Sequence, residues 1–177
     1  SSALFCLFGP MVFEFMDDPA VPYLDQQYML GDALMVAPVF REDKTAQYYL
    51  PEGTWTELLT EETKEGGRWY KGTYDYFSMP LYIRENSIVV RGNCDTRPDY
   101  DYADHATVCV YQLKDAAETK VPDVHGNTVF TVKAVKEGDA VKVSVEGAHT
   151  ELKVEVFVGN EKKEAVLAAD ADEVVVA

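Results

Sequence analysis

The sequence has little basic charge and no long apolar run. Its 177 residues carry 31 acidic but only 16 basic side chains, a formal net charge of −15. Such a surface repels phosphate backbones and anionic lipid headgroups, so we expect neither nucleic acid nor a membrane as a partner. No apolar stretch is long enough to cross a bilayer. A neutral ligand such as a sugar remains compatible with this charge.

Cysteine is also scarce, with Cys6, Cys94 and Cys109 as an odd set that contains no C-x-x-C spacing. This set predicts neither a disulfide framework nor a zinc site. We interpret the three as buried or incidental thiols in a reducing compartment, which indicates a cytoplasmic protein.

Motifs for nucleotide or nucleophile chemistry are absent as well: there is no P-loop, no G-x-G-x-x-G and no G-x-S-x-G. His105, His125 and His149 lie far apart, each in or beside a turn signal. We therefore predict no metal and no cofactor.

Asp17 and Asp18 form a carboxylate pair directly after a predicted strand. Such a pair could serve acid/base chemistry at the rim of a barrel. Neighbouring residues on an extended chain point in opposite directions, however, and Asp18 before Pro19 is a good helix cap. We favour the structural role and assign no catalytic residue.

A second acidic group lies in the polar stretch 92–105 and comprises Asp95, Asp99, Asp101 and Asp104. Alternating oxygen ligands would suit calcium, but the glycine and the terminal glutamate of an EF-hand loop are missing. We interpret the stretch as a solvated linker between two domains.

The first part of the chain has mixed character. Residues 11–15 are apolar except for Glu14 and predict a buried strand. Asp25 can cap a short helix over residues 26–30, which Gly31 can end. The run ALMVAPVF, residues 33–40, predicts a strand.

From Thr45 onward the apolar residues repeat with a period of two. Short strands with turn signals at close spacing favour a β-sandwich. The predicted strands are residues 47–50, 55–59, 68–70, 79–83 and 87–90. After the linker the alternation sharpens, as in 141–146 and 152–158, and predicts a second, smaller antiparallel β-domain.

Aromatic residues recur through the predicted sandwich. Trp55, Trp69 and Tyr70 are candidate sugar-contacting residues, with Tyr74 and Tyr76 nearby. Packing in the core is the alternative for side chains at strand spacing, and the sequence leaves this choice open.

Four segments in this order carry a family resemblance: EFMDDPAVPYLDQQYMLGDALMVAPVF, YYLPEGTWTELLT, GGRWY and SMPLYIRENSIV. They resemble glycoside hydrolase family 31 where its catalytic barrel ends and its proximal C-terminal β-sandwich begins. GNCDTRPDYDY resembles the α-xylosidase branch of that family.

The resemblance implies a mainly β chain in three parts. These are the tail of a (β/α)8 barrel at 1–33, the proximal sandwich at 34–100 and a distal β-domain at 101–177. It also implies a parent enzyme that cleaves α-linked sugars with retention, using two aspartates roughly 5–5.5 Å apart. Both aspartates would precede this segment, so we expect the chain alone to be inactive.

The expected partners are therefore the barrel of the parent chain and, through it, an α-linked sugar. Two alternatives remain. The chain could be a carbohydrate-binding module, or a structural module in which an apolar face on residues 1–40 drives oligomerisation.

Overall fold

A computed structural model describes residues 9–10, 27–30, 32–39, 44–75, 78–94, 101, 103–123 and 125–177. The chain divides into two compact units, Ser1–Glu85 and Asn86–Ala177. The secondary structure of the described residues is β throughout, which confirms the predicted fold class. The described residues include no helix long and apolar enough to span a membrane.

The first unit contains eight strands in the described residues. They are β1 (Gly9–Pro10), β2 (Tyr28–Leu30), β3 (Leu34–Val36), β4 (Thr45–Leu50), β5 (Thr54–Glu57), β6 (Thr63–Glu65), β7 (Arg68–Thr73) and β8 (Leu81–Arg84). Six of them form an antiparallel sheet in the order β1-β2-β3-β8-β5-β6, and β4 pairs with β7 as a separate two-stranded ribbon.

The core of the first unit lies between this sheet and the β4–β7 ribbon. Alternate residues of β4, namely Ala46, Tyr48 and Leu50, face the core, as the period of two requires. Trp55 and Tyr82 come from the sheet and are fully buried. The sandwich predicted from residue 34 onward thus forms around aromatic side chains.

The helix predicted at residues 26–30 is wrong where the structure describes it. Tyr28–Leu30 is strand β2, and its register with β3 sets Met29 opposite Met35. Both methionines are buried in the core. Methionine and leucine favour helices, but here a neighbouring strand buries them better, so tertiary packing overrides local propensity.

The described residues of the second unit form eight strands. They are β9 (Ser87–Arg91), β10 (Thr107–Tyr111), β11 (Ala116–Pro122), β12 (Thr128–Glu137), β13 (Ala140–Gly147), β14 (Leu152–Val158), β15 (Glu161–Leu167) and β16 (Glu173–Val176). They form two four-stranded sheets, β15-β14-β10-β9 and β11-β12-β13-β16. All pairs are antiparallel except β10–β14.

The two sheets of the second unit share one aliphatic core. Val108 and Val154 contribute from one sheet, and Val132 and Val143 from the other. Gly138, at φ 65°, turns the chain between β12 and β13 in the left-handed conformation that glycine accepts without strain. The alternation predicted at 141–146 is confirmed. In 152–158 the strand is confirmed, but Glu155 and Phe157 on its other face are buried as well, and Val158 is exposed.

Several predictions fall outside the described residues. The strand at 11–15, the pair Asp17–Asp18 and most of the barrel tail at 1–33 are among them. The domain boundaries at 33 and 100 stay predictions.

Candidate functional site

Trp55, the first predicted sugar contact, belongs to the core of the first unit. Only 1% of it is exposed, and its indole N–H donates to the carbonyl oxygen of Pro51 at 2.8 Å. A β-carbon at Gly66 would overlap the same carbonyl oxygen, so only glycine fits there. The segments LPEGTW and GGRWY therefore meet at one turn, and Trp55 has no face left for a ligand.

Trp69, the second candidate, lies on the opposite side of the ribbon. It is 49% exposed on β7, opposite Tyr49 in register. The two ring centroids are 5.5 Å apart with the planes tilted by 54°. This indole is accessible to a ligand.

Tyr70, the third candidate, follows Trp69 and therefore points inward. Its ring stacks on Tyr48 with centroids 5.9 Å apart, and its hydroxyl donates to the backbone oxygen of Glu65 at 2.7 Å. The structure thus separates the three candidates instead of bringing them together into one site.

A buried tyrosine cluster, made of Tyr48, Tyr74 and Tyr82, occupies the core side of the ribbon. The Tyr48 hydroxyl lies 2.8 Å from that of Tyr74 and 2.7 Å from that of Tyr82. The Lys64 ammonium donates to Tyr82 at 2.6 Å and closes the network. Burial, chiefly, raises the pKa of Tyr48 and Tyr82 well above the usual 10, so both hydroxyls stay neutral.

Glu57 is a buried carboxylate in the described part of this unit. The Thr60 hydroxyl donates to it at 2.9 Å, and the ammonium of Lys64 lies 3.8 Å away. Both contacts hold the side chain in place and reduce the cost of burying its charge. The arrangement is that of a structural carboxylate.

Gln27 fixes the outer edge of the ribbon. Its side-chain amide donates to the Tyr49 backbone oxygen at 2.7 Å and accepts from the Tyr49 N–H at 2.8 Å. The side chain thereby completes the hydrogen bonding of a strand edge, much as a neighbouring strand would. Sequence reasoning missed this role, although a glutamine directly before the apolar run Tyr28–Leu30 was a usable signal.

The second unit holds its own buried carboxylate, Glu155, which is only 3% exposed. Arg91 donates to it at 2.7 Å and Lys153 at 2.9 Å. Burial alone would raise the pKa of Glu155, but the two cations outweigh burial and lower it. This ion network was not predicted.

Cys109 lies beside this network, with its thiol 3.7 Å from Glu155. Burial raises the pKa of the Cys109 thiol to about 11, so it is protonated at neutral pH and unreactive. Its predicted role as a buried structural thiol fits this environment.

The polar linker contributes a shallow cavity of about 240 Å³, lined in part by Asp101, Asp104, His149 and Thr150. Asp101 accepts a hydrogen bond from the backbone of Ala103 at 3.0 Å, as a turn residue does. Asp95 and Asp99 lie outside the described residues. No group of three or more metal-ligating side chains occurs in the described part of the chain.

Each of the three histidines makes contacts that the structure describes. His105 lies 3.7 Å from Asp104, and His125 donates its backbone N–H to Asp123 at 2.8 Å. The ring nitrogens of His149 lie 2.7 Å and 3.1 Å from the backbone oxygens of Thr150 and Ala171. Each histidine therefore has a local structural contact.

Two family models match successive parts of the chain. Residues 6–89 match the glycosyl hydrolase family 31 C-terminal domain. Residues 101–177 match the C-terminal domain described for the alpha-xylosidase YicI. The chain belongs to the C-terminal region of glycoside hydrolase family 31.

Relatives of this family 31 region are much longer than the chain itself. The alpha-xylosidase XylQ of Lactiplantibacillus pentosus is 31% identical over 88% of this chain and 21% of its own length. Alpha-glucosidase 2 of Bacillus thermoamyloliquefaciens is 26% identical over 86% of this chain and 19% of its own. The crystal structure of the family 31 alpha-xylosidase of Xanthomonas citri matches with a TM-score of 0.74 and 25% identity, over 96% of this chain and 21% of that one.

The chain therefore spans about a fifth of the length of the relatives it matches. These matches are consistent with a C-terminal, non-catalytic part of a family 31 enzyme. Among the described residues, the buried carboxylates Glu57 and Glu155 are both engaged in structural contacts.

Proposed function

We propose that this chain is the C-terminal support of a retaining α-glycosidase of the α-xylosidase type and is inert on its own. The single observation that carries the proposal is the match of two successive C-terminal family models to one chain. The alpha-xylosidase names of the second model and of the XylQ relative favour that substrate class over others in the family.

The contacts in the first unit suggest how support would work. Gln27, from the motif assigned to the end of the barrel, hydrogen-bonds to the backbone of Tyr49 through both the N–H and the oxygen of its side-chain amide. A barrel domain that continued into this motif would therefore be tied to the ribbon by hydrogen bonds as well as by the chain. In this role the sandwich stabilises the last element of the barrel.

A hydrolysis assay tests the proposed inactivity of the isolated chain. The purified chain and the full-length parent would each be given p-nitrophenyl α-xyloside and p-nitrophenyl α-glucoside. We expect release of nitrophenol by the parent alone, with the xyloside preferred. Turnover by the isolated chain would overturn the proposal and direct attention to Asp17 and Asp18.

The second candidate function, a carbohydrate-binding module, is favoured by the exposed indole of Trp69. It is compatible with the first, because a support domain can also hold sugar. Different measurements test the two functions. The support role is tested by the folding of the parent, and the binding role by the affinity of this chain for sugar.

A further inference from the structure

Trp69 is an unusual surface residue of this chain. Among the large hydrophobic side chains that are exposed in the described residues it is the one aromatic; the others are Leu59, Val135, Val158, Val166 and Val175. A half-exposed indole contributes less hydrophobic free energy to folding than a buried one such as that of Trp55. A ligand for the open ring would explain its position.

The indole is held rigidly. Strands β4 and β7 pair without a register shift over all six residues of each. Tyr49 packs against the ring from the facing strand, and the amide of Gln27 anchors the backbone of Tyr49. A preorganised aromatic surface of this kind loses little conformational entropy on binding.

Polar groups flank the ring on the same face. Gln47 and Lys71 are opposite each other in register, two residues along each strand from Tyr49 and Trp69, and both are exposed. That spacing puts them about 7 Å from the aromatic pair. Within the described part of the chain, neither side chain has a hydrogen-bond partner.

This combination suits a sugar better than a protein. A stable protein interface buries about 800 Å² on each partner and centres on contiguous apolar residues. Here one indole is bordered by an amide, an ammonium group and, further along β7, Thr73, which is exposed. A pyranose ring presents C–H groups to an aromatic face and hydroxyls at its edge, which matches such a set.

We propose that the outer face of the β4–β7 ribbon is a binding site for a neutral oligosaccharide. One pyranose ring stacks on Trp69, while the Gln47 amide and the Lys71 ammonium bind its hydroxyls. Restriction to α-linked sugars rests on the proposed function; the stacking site itself rests on the geometry of the ribbon.

Titration by NMR tests this site directly. The ¹⁵N-labelled chain has two tryptophans and so two indole N–H resonances. Titration with maltotriose and with an α-xylosyl-glucose disaccharide is expected to shift the Trp69 resonance and leave that of Trp55 in place. Trp69→Ala should raise the Kd about tenfold or more, which corresponds to roughly 1.4 kcal/mol.

Matched variants separate the site from general effects. Lys71→Ala and Gln47→Ala should each raise the Kd several-fold, since each removes one polar partner of the sugar. Leu59→Ala truncates another exposed hydrophobic residue, which belongs to neither strand of the ribbon, and should leave the Kd unchanged. Circular dichroism of each variant checks that the chain remains folded.

Three results would overturn the inference. They are no shift up to the solubility limit of both sugars, the same Kd in wild type and Trp69→Ala, or self-association in light scattering that Trp69→Ala abolishes. The last would assign the indole to a second copy of the chain. None of these bears on the hydrolysis assay, so this site and the support role fail separately.

Discussion

The two units of this chain build their buried cores from different kinds of side chain. The first unit relies on aromatic side chains whose polar ends are hydrogen-bonded inside, as in the Tyr48–Tyr82 pair with Lys64. The second packs valines from two sheets, as at Val132 and Val154, and keeps its ion network separate from that aliphatic core. The first core thus depends on specific contacts, while the second depends on volume and alternation.

The largest expected effect comes from Gly66→Ala. The new methyl group would overlap the backbone oxygen of Pro51, which has no rotamer by which to escape. We expect a loss of about 3–4 kcal/mol in the free energy of unfolding. Urea unfolding followed by tryptophan fluorescence measures it.

Gly67→Ala is the matched control for this substitution. Nothing lies within 4 Å of its β-carbon position, and only its φ of 73° is unfavourable for alanine. Its cost should stay at about 1–2 kcal/mol. Equal losses at the two glycines would contradict the close contact with Pro51.

A cavity in the valine-rich core provides the counterpart in the second unit. Leu152 is fully buried in β14, so Leu152→Ala should cost about 3 kcal/mol. Val166→Ala, on the exposed face of the neighbouring strand β15, should change stability by less than about 0.5 kcal/mol. Thermal unfolding by circular dichroism compares the two, and similar melting temperatures would argue against this core.

Charge removal at Glu155 sharpens the contrast, because among the described residues Glu57 of the first unit has a single cation beside it, Lys64 at 3.8 Å. Glu155→Gln should destabilise by about 2 kcal/mol at neutral pH, since Arg91 and Lys153 lose the buried charge that they share. The folded pKa of Glu155 is lowered from 4.5, so its contribution is present above that pH and lost as pH falls.

The difference between wild type and Glu155→Gln should therefore shrink in acid. Urea unfolding at pH 7 and at pH 3 measures both states. A difference that stayed constant with pH would show that the carboxylate charge does not stabilise this network.

The smallest expected effect is in the tyrosine cluster. Tyr82→Phe removes one hydroxyl from between Tyr48 and Lys64 and should cost about 1 kcal/mol. Tyr70→Phe, whose hydroxyl bonds only to the backbone of Glu65, is the control and should cost less.

The pH dependence has the opposite sign from that of Glu155. Burial raises the pKa of Tyr82 above 10, so its neutral form stabilises the fold below pH 10 and that stability is lost as pH rises further. Stability of the wild type should fall more steeply than that of Tyr82→Phe above pH 10. Parallel curves in alkaline urea titrations would contradict this interpretation.

These differences also explain what the sequence predicts well. Strict alternation, as in Val141-Lys142-Val143, identifies both the strand and its buried face, because the side-chain period of a strand is two. The β12–β13 turn also carries a local signal, because Glu137-Gly138-Asp139 is a hairpin-type sequence and Gly138 adopts φ 65°. Much of the second unit follows from such local signals.

The first unit resists this approach because its determinants are distant in sequence. Gln27 and Tyr49 are 22 residues apart, and Tyr48 and Tyr82 are 34 apart. No local period connects them. The helix prediction fails at the short strand β2 for the same reason: its partner β3, not its own composition, decides its conformation.

The candidate site shows a similar limit. Aromatic composition suggested Trp55, Trp69 and Tyr70 together, but alternation along β7 sends Trp69 outward and Tyr70 inward. The polar neighbours Gln47 and Lys71 become recognisable only when the register of β4 with β7 is known.

The most direct test of the central claim is to express the parent glycosidase with and without this C-terminal region and to assay each on p-nitrophenyl α-xyloside. The account predicts that the truncated parent loses soluble yield and activity, and that co-expression of this chain restores part of both. Full yield and undiminished activity without this region would contradict the support role.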